Sequence, residues 1–124
     1  MKPSEEEVAR RFVAPDGTEI LVGRTARDND ALTFQIASQR DFWLHVAGCP
    51  GSHVIVKNPE GLESLPRETL RFAATLAARH SKARAAGQVS VHVAQVKDVS
   101  KPRGAPPGQV SLKRYRSLRV SAGS

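Results

Sequence analysis

The stretch DFWLHVAGCPGSHVIVKNP, residues 41–59, decides how this chain is built. Two strand-like runs, FWLHVA and SHVIVKN, flank Gly48-Cys49-Pro50-Gly51. Proline there fixes one turn angle and glycine permits the next, so a β-hairpin is expected. In the first run Phe42, Leu44 and Val46 alternate with Trp43 and His45. Both sets are bulky, which predicts a central strand buried on both faces. Whether His45 and His53 share a face depends on register: directly opposite they do, and a slip of one residue separates them.

Working outward, RRFVAPDGTEILVGRT (residues 10–25) has two β-prone runs joined by Asp16-Gly17, a strong hairpin signal. NDALTFQIA (29–37) offers Asn29 or Asp30 as an N-cap, with Leu32 and Ile36 one turn apart, and predicts a short amphipathic helix. The long helix is expected after Pro66, with Glu68 near its N-terminus, a Phe72, Ala73, Leu76, Ala77, His80 stripe, and a stop near Gly87. VSVHVAQV (89–96) alternates with period two, as a strand with a core face of Val89, Val91 and Val93 does. SKPRGAPPG (100–108) has three prolines and two glycines and is expected as a stiff basic loop. QVSLKRYRSLRVSA (109–122) predicts a strand or last hairpin bearing Lys113, Arg114 and Arg116. The sum is an α+β fold: one domain, residues 1–124, with a twisted, mainly antiparallel sheet of about six strands, one long helix and one short helix.

Composition narrows the function. A chain of 124 residues with 40% hydrophobic and 25% charged side chains suits one core, and no apolar run is long enough to span a bilayer. MKPSEEEVAR carries no apolar targeting segment, so the cytoplasm is the expected compartment. A lone Cys49 excludes an internal disulfide and a thiolate-rich zinc site. The formal charge of +7 is uneven. Residues 1–96 hold 12 Lys or Arg against 11 Asp or Glu, whereas residues 97–119 hold seven basic residues and only Asp98. Such a segment is the electrostatic footprint of a polyanion-binding surface, and nucleic acid is the commonest cytoplasmic polyanion.

The chemical alternatives are weaker. Cys49 with His53 could be drawn as nucleophile and base, but nothing nearby in sequence activates the thiol. His45, Cys49, His53 and Asp41 could be drawn around a zinc ion, which would make a metal-dependent enzyme built on His45 and His53. No phosphate loop or nucleophile elbow is present, and neither a cofactor nor a metal is expected. Trp43 reads as core; Tyr115, among Lys113, Arg114 and Arg116, is the better base-stacking candidate. The expectation is a non-enzymatic binding module. Its rival from another class is a protein-interaction module whose basic surface docks an acidic partner.

GRTARDNDALT, DFWLHVAGCPGSHVIV, the Ala-rich helix ending AARHSKAR, and KPRGAPPGQV occur in that order. Together they resemble the NFACT-R domain, the RNA-binding module of the NEMF, Caliban and fibronectin-binding-protein-A-like family, over about Ile20 to Val120. Gly23, Arg24, Asn29 and Asp30 match its first block, and Trp43, His45, Pro50, Gly51, Ser52 and His53 its central hairpin. Lys101, Pro102, Gly104, Ala105, Pro107 and Gly108 match its Lys-Pro-x-Gly-Ala-x-Pro-Gly loop. Pro106 and Gln109 depart from the pattern, as does LKRYR after it, so one cation is lost and several are gained nearby.

The resemblance implies ribosome-associated quality control. The implied partners are RNA (tRNA or ribosomal RNA), the large ribosomal subunit, and a protein partner in that process; no membrane is implied. The full-length proteins also carry an NFACT domain, a helix-hairpin-helix segment and a coiled coil, too much for 124 residues. A stand-alone form of the module is expected from Met1 and the closing SAGS, without tailing activity of its own. The expected phosphate contacts are Lys97, Lys101, Arg103, Lys113, Arg114 and Arg116, with Arg24 as a further one and Tyr115 stacking. Asn29, Asp30, Trp43, His45, Pro50, Gly51, Ser52, His53, Gly104 and Gly108 are expected as scaffold or additional RNA contacts.

Overall fold

The computed structural model describes residues 1–122, so the last two residues of the closing SAGS lie outside the described residues. Its elements, in chain order, are α1 (Glu5–Val8), β1 (Ala9–Val13), β2 (Glu19–Gly23), α2 (Ala26–Ala31), β3 (Phe42–Val46), β4 (Val54–Val56), α3 (Arg67–Arg79), β5 (Val89–Gln95), β6 (Val99–Ser100), β7 (Ser111–Leu112) and β8 (Arg116–Val120). Six strands form one antiparallel sheet in the order β1-β2-β4-β3-β5-β8, and β6 pairs with β7 apart from it. The α+β architecture expected from the sequence is the one observed.

Period-two alternation divides the sheet into two apolar layers. Ile20, Val22, Phe42, Leu44, Val46, Val54, Val56 and Val91 face α3, whose Ala73, Ala74, Leu76, Ala77 and Ala78 pack onto them. The small side chains of this stripe let the helix lie close to the strands. Leu21, Trp43, Ile55 and Ala94 face the other way and meet Leu32, Val96 and Val99, with Ile36, Val110 and Leu112 at the margin. β3 lies inside the sheet and is covered on both sides, which is why FWLHV has no polar face.

Two boundaries differ from the sequence reading, and one element is additional to it. The short helix begins earlier, because Thr25 is its N-cap and accepts from the Asp28 amide at 3.1 Å. Asn29 and Asp30 therefore lie inside α2, which widens into a π-helical turn over Leu32–Ile36. Helix α3 ends at Arg79 instead of running to Gly87. The following main chain is captured by the hairpin turn: Ser52 N–H donates to His80 O at 2.9 Å, Lys82 N–H donates to Pro50 O at 2.9 Å, and Gly51 bridges Ser81. Helix α1 was not foreseen. Its signal was Ser4-Glu5-Glu6-Glu7, a capping box in which Ser4 N–H donates to the Glu7 carboxylate at 2.7 Å.

Residues 96–115 form a single arm between β5 and β8. A 3-10 turn at Val96–Asp98 leads into β6, the proline-rich loop follows, and β7 returns. The stem is the β6–β7 pair, Val99 opposite Leu112 and Ser100 opposite Ser111. Val96, Val99, Val110 and Leu112 lay this arm over the Trp43 face of the sheet. The final stretch is therefore two short strands in two different sheets, divided at Lys113-Arg114-Tyr115.

Candidate nucleic-acid interface

The hairpin register is Leu44 opposite Val54, which puts His45 and His53 on one face with ring centroids 5.5 Å apart. Trp43 joins them, stacked 5.8 Å from His45 and edge-on 5.2 Å from His53. His53 is fully buried. Its Nε2 lies 3.0 Å from Gly108 O and its Nδ1 2.8 Å from Thr33 Oγ1. A carbonyl only accepts, so Nε2–H donates to Gly108 and Nδ1 accepts from the Thr33 hydroxyl. Burial, the largest cause, drives the His53 pKa from 6.5 down to about 4, so the ring is neutral at physiological pH. Burial likewise lowers the pKa of His45.

The three sequence blocks meet around this ring. Asn29 Oδ1 accepts from His53 N–H at 3.0 Å while its Nδ2 donates to Gly51 O at 3.3 Å. Ser52 Oγ donates to Gly23 O at 2.7 Å. A side chain on Gly23 would place its Cβ 2.0 Å from Asn29 Oδ1, so only glycine allows this approach. Asp30 Oδ1 accepts from Gly108 N–H at 3.0 Å. Lys101 Nζ lies 3.0 Å from Asp30 Oδ2 and donates to the carbonyls of Pro106 (2.5 Å) and Gln109 (2.8 Å). The loop thus closes around its own lysine, and Gly108, at φ 86°, turns its carbonyl to His53. Asn29, Asp30, Gly51, Ser52, His53, Lys101 and Gly108 form one internal polar network. Pro50 belongs to the same seam through Lys82, and Gly104 turns the loop tip beside Arg103.

These bonds bear on the catalytic alternatives. Both His53 ring nitrogens are engaged, leaving no lone pair for a metal or a Cys49 proton. Asp41 accepts from the Ser38 and Asn58 amides, at 2.9 Å each, and Cys49 packs against the α3-side core. Among the described residues, no group of three or more His, Cys, Asp or Glu could hold a metal ion.

The cations divide by role. Lys97, Arg103, Lys113, Arg114 and Arg116 are exposed on the arm or at the start of β8, and none has an ion-pair partner among the described residues. Lys113 N–H donates to Asp98 O at 2.8 Å, so Lys113 sits beside Lys97 at the stem. Tyr115 is half exposed and its ring lies 4.6 Å from that of His92. Lys101, by contrast, holds the loop from inside. Arg24 is placed elsewhere: its guanidinium donates to Ala9 O at 3.3 Å, in a cleft that also contains Arg79, Lys82 and Arg84. The sequence reading overlooked this second basic surface. Its charges were averaged away in the balanced count over residues 1–96, although RHSKAR at the end of α3 was a visible local signal.

An antiparallel α+β domain with a hydrogen-bonded polar seam beneath a cation-bearing arm is the class of protein that fold and site define. Residues 9–114 match the family model described as NFACT protein RNA binding domain, and the chain belongs to that family. The match takes in β1, upstream of the Ile20 boundary expected from the motifs, and stops short of β8. Among curated relatives, the Rqc2 homolog RqcH of Bacillus subtilis (strain 168) is 39% identical over 114 residues, covering 92% of this chain and 19% of the relative. RqcH of Streptococcus suis (strain 05ZYH33) is 38% identical over 122 residues, covering 97% and 21%. The chain thus spans about a fifth of the length of these relatives. The solved C-terminal part of the fibronectin/fibrinogen-binding protein from Streptococcus suis superposes with a TM-score of 0.85 at 38% identity, covering 92% of this chain and 45% of that one.

Proposed function

We propose that this protein binds RNA through the phosphate backbone, in ribosome-associated quality control, with tRNA or ribosomal RNA of the large subunit as the ligand and the cytoplasm as the setting. The observation that carries the reading is the set of exposed cations Lys97, Arg103, Lys113 and Arg114 on the arm and Arg116 at the start of β8, none of them ion-paired among the described residues, with the arm tied down by the Lys101 and His53 seam. Family membership and the RqcH relatives support it. A stiff arm loses little entropy on binding, and its unpaired cations release counterions from the polyanion. No helix among the described residues is long and apolar enough to cross a membrane.

The test is salt-dependent binding of labelled tRNA and of a large-subunit RNA fragment. Engagement of about five phosphates predicts a slope of log affinity on log salt of roughly −3.5 to −4.5. Reversing the charges of Lys113, Arg114 and Arg116 should flatten that slope by about 2 to 3. A slope near zero, or full competition by an acidic polypeptide with no RNA preference, would overturn the reading. Crosslinking in cells followed by sequencing distinguishes tRNA from ribosomal RNA.

A further inference from the structure

Between the sheet and the arm lies a cavity of about 570 Å³, within the size range of small-ligand sites. Trp43, His45, His92, Val110 and Leu112 line it, together with the Gly48–Gly51 turn and residues 107–109. Its side-chain walls combine aromatic rings and apolar groups with the amides of Asn29 and Gln109, and it has no carboxylate lining. His92 carries Tyr115 against it at the outer edge. Trp43 Nε1 is buried and, among the described residues, is the side-chain donor or acceptor left with no protein partner. That N–H is closed to solvent and belongs to the packed side of the wall.

The surroundings say what the ligand is attached to. On one side, Lys113 and Arg114 directly follow Leu112 of the wall. On the other, the cavity shares Ala26, Asn29, Pro50 and Gly51 with the neighbouring cleft of about 460 Å³. That cleft is lined by Arg24, Arg79, Lys82 and Arg84 and by no carboxylate. A cavity with aromatic rings in its wall therefore lies between two basic surfaces. The larger cavity at the other end of the sheet, about 990 Å³, is lined by five carboxylates, Glu5, Asp16, Glu19, Asp41 and Glu60, against Arg40 and Lys57, a net negative wall that disfavours a polyanion.

We propose that this cavity receives one unstacked nucleobase of a single-stranded RNA segment, whose phosphates run from the arm cations to the Arg24, Lys82 and Arg84 cleft. The inference rests on the RNA-binding reading and adds a base-accepting site to it. Single-stranded RNA is recognised in this way, by splaying a base out against aromatic rings and meeting its edge with main-chain and side-chain groups. Stacking of this kind carries little sequence preference.

Trp43 is the chain's single tryptophan, so its emission reports on the cavity wall directly. The experiment compares oligo(A), oligo(U) and a fully abasic ribose-phosphate oligomer of the same length, by anisotropy and by Trp43 fluorescence, on the whole chain. The expected result is about tenfold weaker binding of the abasic oligomer, equivalent to about 1.4 kcal/mol, with Trp43 emission changed only by the oligomers that carry bases. His92→Ala and Tyr115→Ala should each reduce that preference while leaving the salt slope in place. Equal affinity for all three oligomers, with unchanged emission, overturns the base site and leaves phosphate binding standing. Absence of salt-dependent binding by any oligomer overturns both readings. A full emission change with AMP alone, at the same affinity as the oligomer, would assign the cavity to a free nucleotide instead and overturn the proposal.

Discussion

Acidification from near pH 7.5 to near pH 5 should remove about 2 kcal/mol of folding stability through His53 alone. The ring is neutral when folded because it is fully buried, an effect that outweighs the opposing pull of the Gly108 carbonyl on Nε2–H. Its folded pKa of about 4 lies below the unfolded 6.5, so the unfolded chain takes up the proton first. Stability is therefore complete above about pH 6.5 and declines as pH falls toward about 4. Each pH unit inside that window withdraws about 1.4 kcal/mol, and pH 5 lies about 1.5 units below the unfolded value. His45, also lowered by burial, acts in the same direction.

The carboxylates whose pKa values are lowered are Glu7, Asp16 and Glu19, with ordinary values of 4.5, 3.8 and 4.5. Their contribution is present above those values and is lost only as pH falls through the still lower folded ones, so the range from pH 6.5 to 5 isolates the histidines. Urea denaturation followed by Trp43 emission at several pH values measures the loss, and proton NMR of the imidazoles assigns it. A stability that stays flat over this range, or a His53 resonance that titrates near 6.5, would refute the argument.

Asn29→Ala should destabilise by about 1–3 kcal/mol in the same urea assay, because the buried His53 amide would lose its partner and the half-buried Gly51 carbonyl one of its donors. Gly23→Ala should be at least as damaging, since its Cβ meets Asn29 Oδ1 at 2.0 Å. Combining it with Asn29→Ala should cost less than the separate losses added together, because the second change removes the clashing atom. Lys101→Met should lower stability by about 1 kcal/mol and speed hydrogen exchange of the Gly108 amide, as the loop loses its central donor. Unchanged exchange there would show that Asp30 holds the loop without the lysine.

Much of the framework was legible in neighbouring residues. Asp16-Gly17, the alternation of 89–95 and the Pro66 start of α3 each report a preference of a few adjacent residues, and each element formed where that preference put it. The basic excess of residues 97–119 was legible in the same way, as an expectation of a cationic surface. Local rules failed where a distant partner competed. Gly87 offered a helix stop, yet α3 ended at Arg79 because the Pro50–Ser52 turn bonds to the main chain of His80 and Lys82. Lys101 looks like a free cation in KPRGAPPG, but Asp30, 71 residues earlier, and two loop carbonyls bind it.

The placement of His45 and His53 on one face, the seam joining Gly23, Asn29, Asp30 and Gly108, and the cavity between the two basic surfaces all belong to that second kind. A hydrogen bond between residues far apart in the chain leaves no periodicity behind it, and it forms only after strand register and arm docking have brought donor to acceptor. Propensity and spacing therefore reach as far as the strands and helices, while the roles of the individual histidines, lysines and arginines are decided by what the completed fold sets beside them.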